Sequence, residues 1–94
     1  MLVAELRVVP IGSGSSMERT MERVVAALDE TGLEYKVGSL ATTLQADRIE
    51  ALLDATKAVH EAVAGEAPRI LLELSVDHRL DKEESMASLA RVKR

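Results

Sequence analysis

"LVAELRVVPIGSGSSMERTMERVVAAL", residues 2–28, changes its period partway along, and that change decides the fold. From Leu2 to Val9 the side chains alternate. Leu2, Ala4, Leu6 and Val8 fall on one face and Val3, Glu5, Arg7 and Val9 on the other, the pattern of a half-buried strand. Beyond Pro10 the apolar positions Met17, Met21, Val24, Val25 and Leu28 recur at helical spacing, with Glu18, Arg19, Glu22, Arg23 and Asp29 around the rest of the surface. Ser15 followed by Glu18 has the spacing of a capping box, and Gly32 is placed for a left-handed C-cap. The junction "PIGSGSS" has the look of a phosphate cradle. A dinucleotide fold needs a third glycine where Met17 stands, and a P-loop needs a lysine followed by serine or threonine. The junction therefore reads as punctuation: Pro10 closes the strand, Gly12 and Gly14 turn, and Ser15 caps. Hydroxyls at Ser13, Ser15 and Ser16 offer a mild polar site at the helix start.

Downstream the same alternation of periods continues. "LEYKV" is a short strand, "GS" at 38 and 39 a hairpin turn, and "LATTLQ" a third strand. Asp47 and Glu50 repeat the capping arrangement ahead of a second helical stripe of Ile49, Leu52, Leu53, Thr56, Val59, His60 and Val63, which Gly65 and Pro68 terminate. "RILLELSV", residues 69–76, is the last strand. Asp81 with Glu84 caps a short final helix holding Met86, Leu89 and Ala90, whose basic end "RVKR" suits the helix dipole. The order β-α-β-β-α-β plus a short helix predicts an α+β chain of the ferredoxin-like, split βαβ class. Residues 1–94 then form a single domain, with a four-stranded antiparallel sheet and both long helices on one face.

Composition narrows the function. The 94 residues are 47% apolar and 30% charged, enough for one small folded core. No apolar run approaches the roughly 20 residues of a membrane span, and no basic region precedes a long apolar stretch, so a cytoplasmic location is expected. The absence of cysteine excludes disulfides and thiolate chemistry. A net charge of −4 and a single aromatic residue, Tyr35, argue against nucleic acid. Two histidines without paired spacing predict no metal site. "DHRLDKEE" gathers Asp77, His78, Arg79 and Asp81, which could serve as acid and base but read better as a charged turn, since catalytic groups usually converge from distant segments. The sheet face turned away from the helices would carry Glu5, Arg7, Glu73 and Ser75 together with Val3, Val9 and Leu71. That mixture is expected of a face roofed by another copy of the chain or enclosing a ligand.

"PIGSGSS", "GLEYKV", "ATTLQAD" and "APRILLELSVDHRLDKEESM", taken in order, resemble the small thiamine-binding-protein family nearly end to end. The features that carry the resemblance are a P-[IL]-G loop at Pro10 to Gly12, a GL-x-Y approach to the second strand at Gly32 to Tyr35, a threonine-bearing strand at Thr42 to Ala46, and a D-x-R-x-DK segment at Asp77 to Lys82. The resemblance implies a ferredoxin-like protomer that associates through its sheets as a homodimer or homotetramer. It also implies binding of thiamine or a related pyrimidine without catalysis and without a further cofactor. Where the family commonly has Glu-Gly, this chain has Gln45-Ala46. An amide can hydrogen-bond an aminopyrimidine but supplies no countercharge to a thiazolium cation. The expected ligand-binding residues are Thr43 and Gln45 as hydrogen-bond partners, Ser13 and Ser16 at the loop, and Glu5 or Glu73 for charge, with Asp77 as a further acidic candidate and Tyr35 as the one cation–π surface. The alternative is a structural or regulatory oligomer that has kept the fold and lost the ligand site.

Overall fold

The structure is a computed structural model and describes residues 1–12, 17–83 and 85–89. Its elements are β1 (Leu2–Ile11), α1 (Glu18–Thr31), β2 (Glu34–Val37), β3 (Thr42–Ala46), α2 (Ile49–Val63), β4 (Arg69–His78) and α3 (Met86–Leu89). The four strands form one antiparallel sheet in the order β2-β3-β1-β4, the ferredoxin-like arrangement expected from the element order. Leu2, Ala4, Leu6 and Val8 of β1 and Leu44 and Ala46 of β3 point to one side, where they meet Val24 and Leu28 of α1 and Leu52, Ala55, Val59 and Val63 of α2. This is the core, and its removal from water is the main favourable term in folding.

The local details depart from expectation in instructive ways. β1 continues past Pro10 to Ile11. A proline is tolerated there because β3 pairs only with Leu2 to Leu6, leaving Pro10 a neighbour on β4 alone. α1 begins at Glu18 with Met17 at the N-cap and no side-chain cap bond there. Ser15 of the expected capping box lies outside the described residues, as do Ser13, Ser16, Glu84 and the basic end at 91–94. Gly32 has φ 75, the left-handed cap that the sequence predicts. The β2–β3 connection is four residues long, not two. Gly38 N–H donates to the Ala41 carbonyl at 2.9 Å, and a Cβ at Gly38 would stand 2.8 Å from that carbonyl oxygen.

Asp47 and Glu50 form no cap. The N-cap of α2 is Arg48 in an extended conformation, without a side-chain cap bond. The buried seam of α2 is narrower than the expected stripe, because Ala55 takes the central place while Ile49, Leu53 and His60 are exposed. Gly65 does not take a left-handed conformation. The helix closes instead through Ala64 in the right-handed region and a Glu66 N–H bond to the Val63 carbonyl at 2.9 Å. β4 runs on to His78, so Asp77 and His78 belong to a strand and not to a turn. Asp81 does not cap α3, which starts at Met86.

Outside the core, one ion cluster ties the helices together. Glu66, just beyond α2 and only 12% exposed, receives Arg23 Nε at 2.7 Å and Arg19 Nε at 3.2 Å from α1. No helix is long and apolar enough to cross a membrane among the described residues.

Candidate functional site

The register fixes which side chains meet on the sheet face that carries neither α1 nor α2. One row across the strands is Glu34, Gln45, Val3 and Asp77, and the next is Lys36, Thr43, Glu5 and Ser75. Neighbouring strands lie about 4.8 Å apart, so Thr43 and Glu5 are side by side while Glu5 and Asp77 are diagonal neighbours. These rows, with α3 above them, enclose a hollow of about 510 Å³ lined by Val3, Ala4, Glu5, Lys36, Gly38, Thr43, Asp77 and Met86. Its volume falls within the range of small-molecule sites, and its lining joins an aliphatic floor to two carboxylates, one ammonium and one hydroxyl.

α3 shapes this hollow. Val3 and Gln45 sit on the face away from the long helices yet are only 6% and 9% exposed. Met86 N–H donates to Gln45 Oε1 at 2.8 Å across 41 residues of chain, and Gln45 Nε2 donates to Glu34 Oε2 at 3.3 Å. Gln45 therefore fastens the C-terminal segment to β3, with its amide oxygen and its NH2 group each engaged. One end of the face is covered from within the chain, where the sequence suggests a second copy or a ligand.

The other expected site residues are distributed unevenly. Thr43 and Glu5 both line the hollow. Glu73 lies one row further along and is bound by its cross-strand neighbour Arg7 at 2.7 Å, so its charge is already matched. Ser13 and Ser16 lie outside the described residues. Tyr35 cannot face the ligand side. It pairs with Leu44 on the helix side of the sheet, and its hydroxyl donates to Asp29 of α1. That hydrogen bond, with desolvation and the charge of Asp29, raises the phenol above its usual pKa.

The charged run after β4 does not converge either. Asp77 lies on the ligand side, His78 faces the opposite way beside Leu2, and Arg79 grips Asp81 through two bonds of 2.8 and 3.2 Å. Sequence reasoning placed Val3 on this face without naming it as a site residue and passed over Lys36 and Met86, and the register and the fold-back of α3 bring the three together. Among the described residues no group of three or more His, Asp or Glu is placed to hold a metal ion.

A larger hollow, about 580 Å³, lies between α1 and α2 on the outside of the molecule, lined by Ala26, Ala27, Ala58 and Ala62 with Arg23, Glu30, Thr31 and Glu61. Its alanine floor offers only methyl groups, and its charged rim is the ordinary solvated surface of two helices, so the sheet-face hollow is the better candidate.

Comparison with known proteins places the chain in a family. The profile of the thiamine-binding protein family matches residues 4–93. The UPF0045 protein of Methanothermobacter thermautotrophicus is 35% identical over 89 residues, covering 92% of this chain and 89% of that one. The crystal structure of a hypothetical protein from Methanocaldococcus jannaschii superposes with a TM-score of 0.83 at 27% identity, covering 92% of this chain and 88% of its own. A Thermotoga maritima protein provisionally assigned to thiamine biosynthesis or salvage shares the fold, with a TM-score of 0.80 at 20% identity over 96% of both chains. With the profile running from the first strand through the terminal helix, the chain belongs to the thiamine-binding protein family.

Proposed function

We propose that this chain binds thiamine, or its aminopyrimidine half, without transforming it, and that it does so as a homo-oligomer whose sheet-face hollow is completed by a second copy. The observation that carries this reading is the composition of the hollow, in which Glu5 and Asp77 face a single Lys36 above the aliphatic floor of Val3. Thiamine joins a polar aminopyrimidine to a cationic thiazolium. Two carboxylates against one ammonium favour a cation, and Thr43 can donate to or accept from a ring nitrogen or amino group. The family carries the ligand's name, and the geometry suggests how this chain meets it. Because Gln45 is engaged with Met86 and Glu34, it acts in this reading by holding the roof and not by touching the ligand.

The same engagement favours the second reading, a structural oligomer whose ligand site has been closed by its own C-terminal segment. Isothermal titration with thiamine and separately with the free aminopyrimidine distinguishes the two. Binding that Glu5→Gln and Asp77→Asn each weaken at least fivefold supports the first. Absence of heat and of any melting shift at millimolar ligand supports the second.

A further inference from the structure

The hollow on the sheet face carries its charges in a fixed order. Lys36, Thr43 and Glu5 follow one another across β2, β3 and β1, and Asp77 stands beyond them on β4, one row along beside Val3. With strands about 4.8 Å apart, the Cα atoms of Lys36 and Glu5 are separated by about 10 Å and those of Lys36 and Asp77 by about 16 Å. The ammonium therefore marks the β2–β3 end of the hollow, and the two carboxylates mark the β1–β4 end. These three groups also differ from their neighbours in being uncommitted. Glu73 on the same face holds Arg7 at 2.7 Å and Glu34 accepts from Gln45 at 3.3 Å, whereas the side chains of Glu5, Lys36 and Asp77 form no ion pair or hydrogen bond among the described residues. The opposite charges do not pair within the hollow, so each stays available to a ligand.

We propose that Lys36 is a specificity-determining residue that receives the aminopyrimidine end of the ligand, so that thiamine lies across the strands with its pyrimidine over β2 and β3 and its thiazolium toward Glu5 and Asp77. This rests on the reading that the hollow binds thiamine, and adds to it a direction and a role for the ammonium. The ring nitrogens of the aminopyrimidine are acceptors and its amino group is a donor. An ammonium only donates, a hydroxyl does both, and a carboxylate only accepts. At the β2–β3 end Lys36 can donate to a ring nitrogen while Thr43 accepts from the amino group. The thiazolium then meets the two carboxylates, and Lys36 stands at about a Debye length or more from them, where its repulsion of that cation is largely screened. Turned end for end, the ring nitrogens would face carboxylates, acceptor against acceptor, and the thiazolium would meet the ammonium. The direction also bears on modified ligands. The hydroxyethyl arm of thiamine is carried by the thiazolium, so a phosphate on that arm is brought to the carboxylate end and repelled. The hollow selects the unphosphorylated ligand.

Isothermal titration of the parent chain, Lys36→Met, Lys36→Arg and Asp77→Asn with thiamine, free aminopyrimidine and thiamine monophosphate reads the direction. Lys36 and Asp77 are both exposed, and thermal melts confirm that each variant is folded. Lys36→Met should weaken thiamine and the aminopyrimidine alike, by about fivefold or more, and Lys36→Arg, which keeps a charged donor, should retain most of the affinity. Asp77→Asn should weaken thiamine by a similar factor while leaving the aminopyrimidine within about twofold of its parent value. Thiamine monophosphate should bind more weakly than thiamine, and Asp77→Asn should narrow that gap. Tighter thiamine binding by Lys36→Met would show that the ammonium only repels the cation, and would overturn the proposal. An aminopyrimidine affinity that falls in Asp77→Asn and holds in Lys36→Met, or thiamine monophosphate binding at least as tightly as thiamine, would overturn it as well. The two readings fail separately. A parent chain that binds neither thiamine nor the aminopyrimidine refutes the ligand and the direction together, whereas binding with any of those three patterns refutes the direction alone.

Discussion

Replacing Gln45 by alanine isolates the contact on which the shape of the hollow depends. The substitution removes two hydrogen bonds, from Met86 N–H at 2.8 Å and to Glu34 Oε2 at 3.3 Å, at a position only 9% exposed. A neutral hydrogen bond contributes about 1 kcal/mol net, and the longer bond to the exposed Glu34 contributes less than the usual charge-assisted value, so the loss is about 1–2 kcal/mol. Because α3 touches the body of the domain mainly through β3, most of that loss should appear as local opening of the C-terminal segment. Amide hydrogen exchange at Met86 should then quicken by about 5- to 30-fold, while core amides such as those of Leu44 and Val59 change little. Gln45→Glu keeps an acceptor for Met86 N–H and loses only the donor to Glu34, so exchange at Met86 should fall between the parent chain and the alanine variant. Unchanged exchange at Met86 in Gln45→Ala would show that the segment is held by something else, and the role given to Gln45 would be wrong.

Three further outcomes follow from the fold. Gly38→Ala places a Cβ 2.8 Å from the Ala41 carbonyl oxygen, so the hairpin must shift, and chemical denaturation should show a loss of about 1–3 kcal/mol. Glu66→Ala leaves Arg19 and Arg23 without their shared carboxylate. With both arginines largely exposed the cost should be about 1 kcal/mol, measured as a melting decrease that shrinks in high salt. Tyr35 holds its proton more tightly in the folded chain, through its bond to Asp29, than it would unfolded. Its contribution is therefore complete below the ordinary phenol range near pH 10 and is lost as the pH rises through its raised value. Tyr35→Phe should flatten that alkaline part of the stability profile, and a profile identical to the parent chain would refute the pairing.

The fold was largely legible because its signals are local. Alternation at Leu2, Ala4, Leu6 and Val8 and the left-handed cap at Gly32 come from neighbouring residues, and each side chain declares its face through its own period. What the sequence did not show depends on distant partners. Ala55 sits in the buried seam of α2 between Leu52 and Val59, and alanine does not stand out in a pattern of large apolar residues. β1 can pass through Pro10 only because β3 stops short, which is a property of another strand. Within the candidate site, Thr43 and Glu5 come together through the register of β1 against β3, Lys36 joins Thr43 through the β2–β3 register that the hairpin at Gly38 to Ala41 sets, and Glu73 is claimed by Arg7. The bond from Met86 to Gln45 joins segments 41 residues apart, and no spacing rule announces it.

The central claim is that the ligand sits on the sheet face between α3 and the strands. Chemical-shift mapping with isotope-labelled protein and thiamine tests it most directly. The amides of Val3, Glu5, Thr43 and Asp77 should move together along one saturable curve while those of Ala26, Ala58 and Ala62 in the outer helix groove stay in place. Saturable shifts confined to that helix groove, or no shifts at all, would contradict the account.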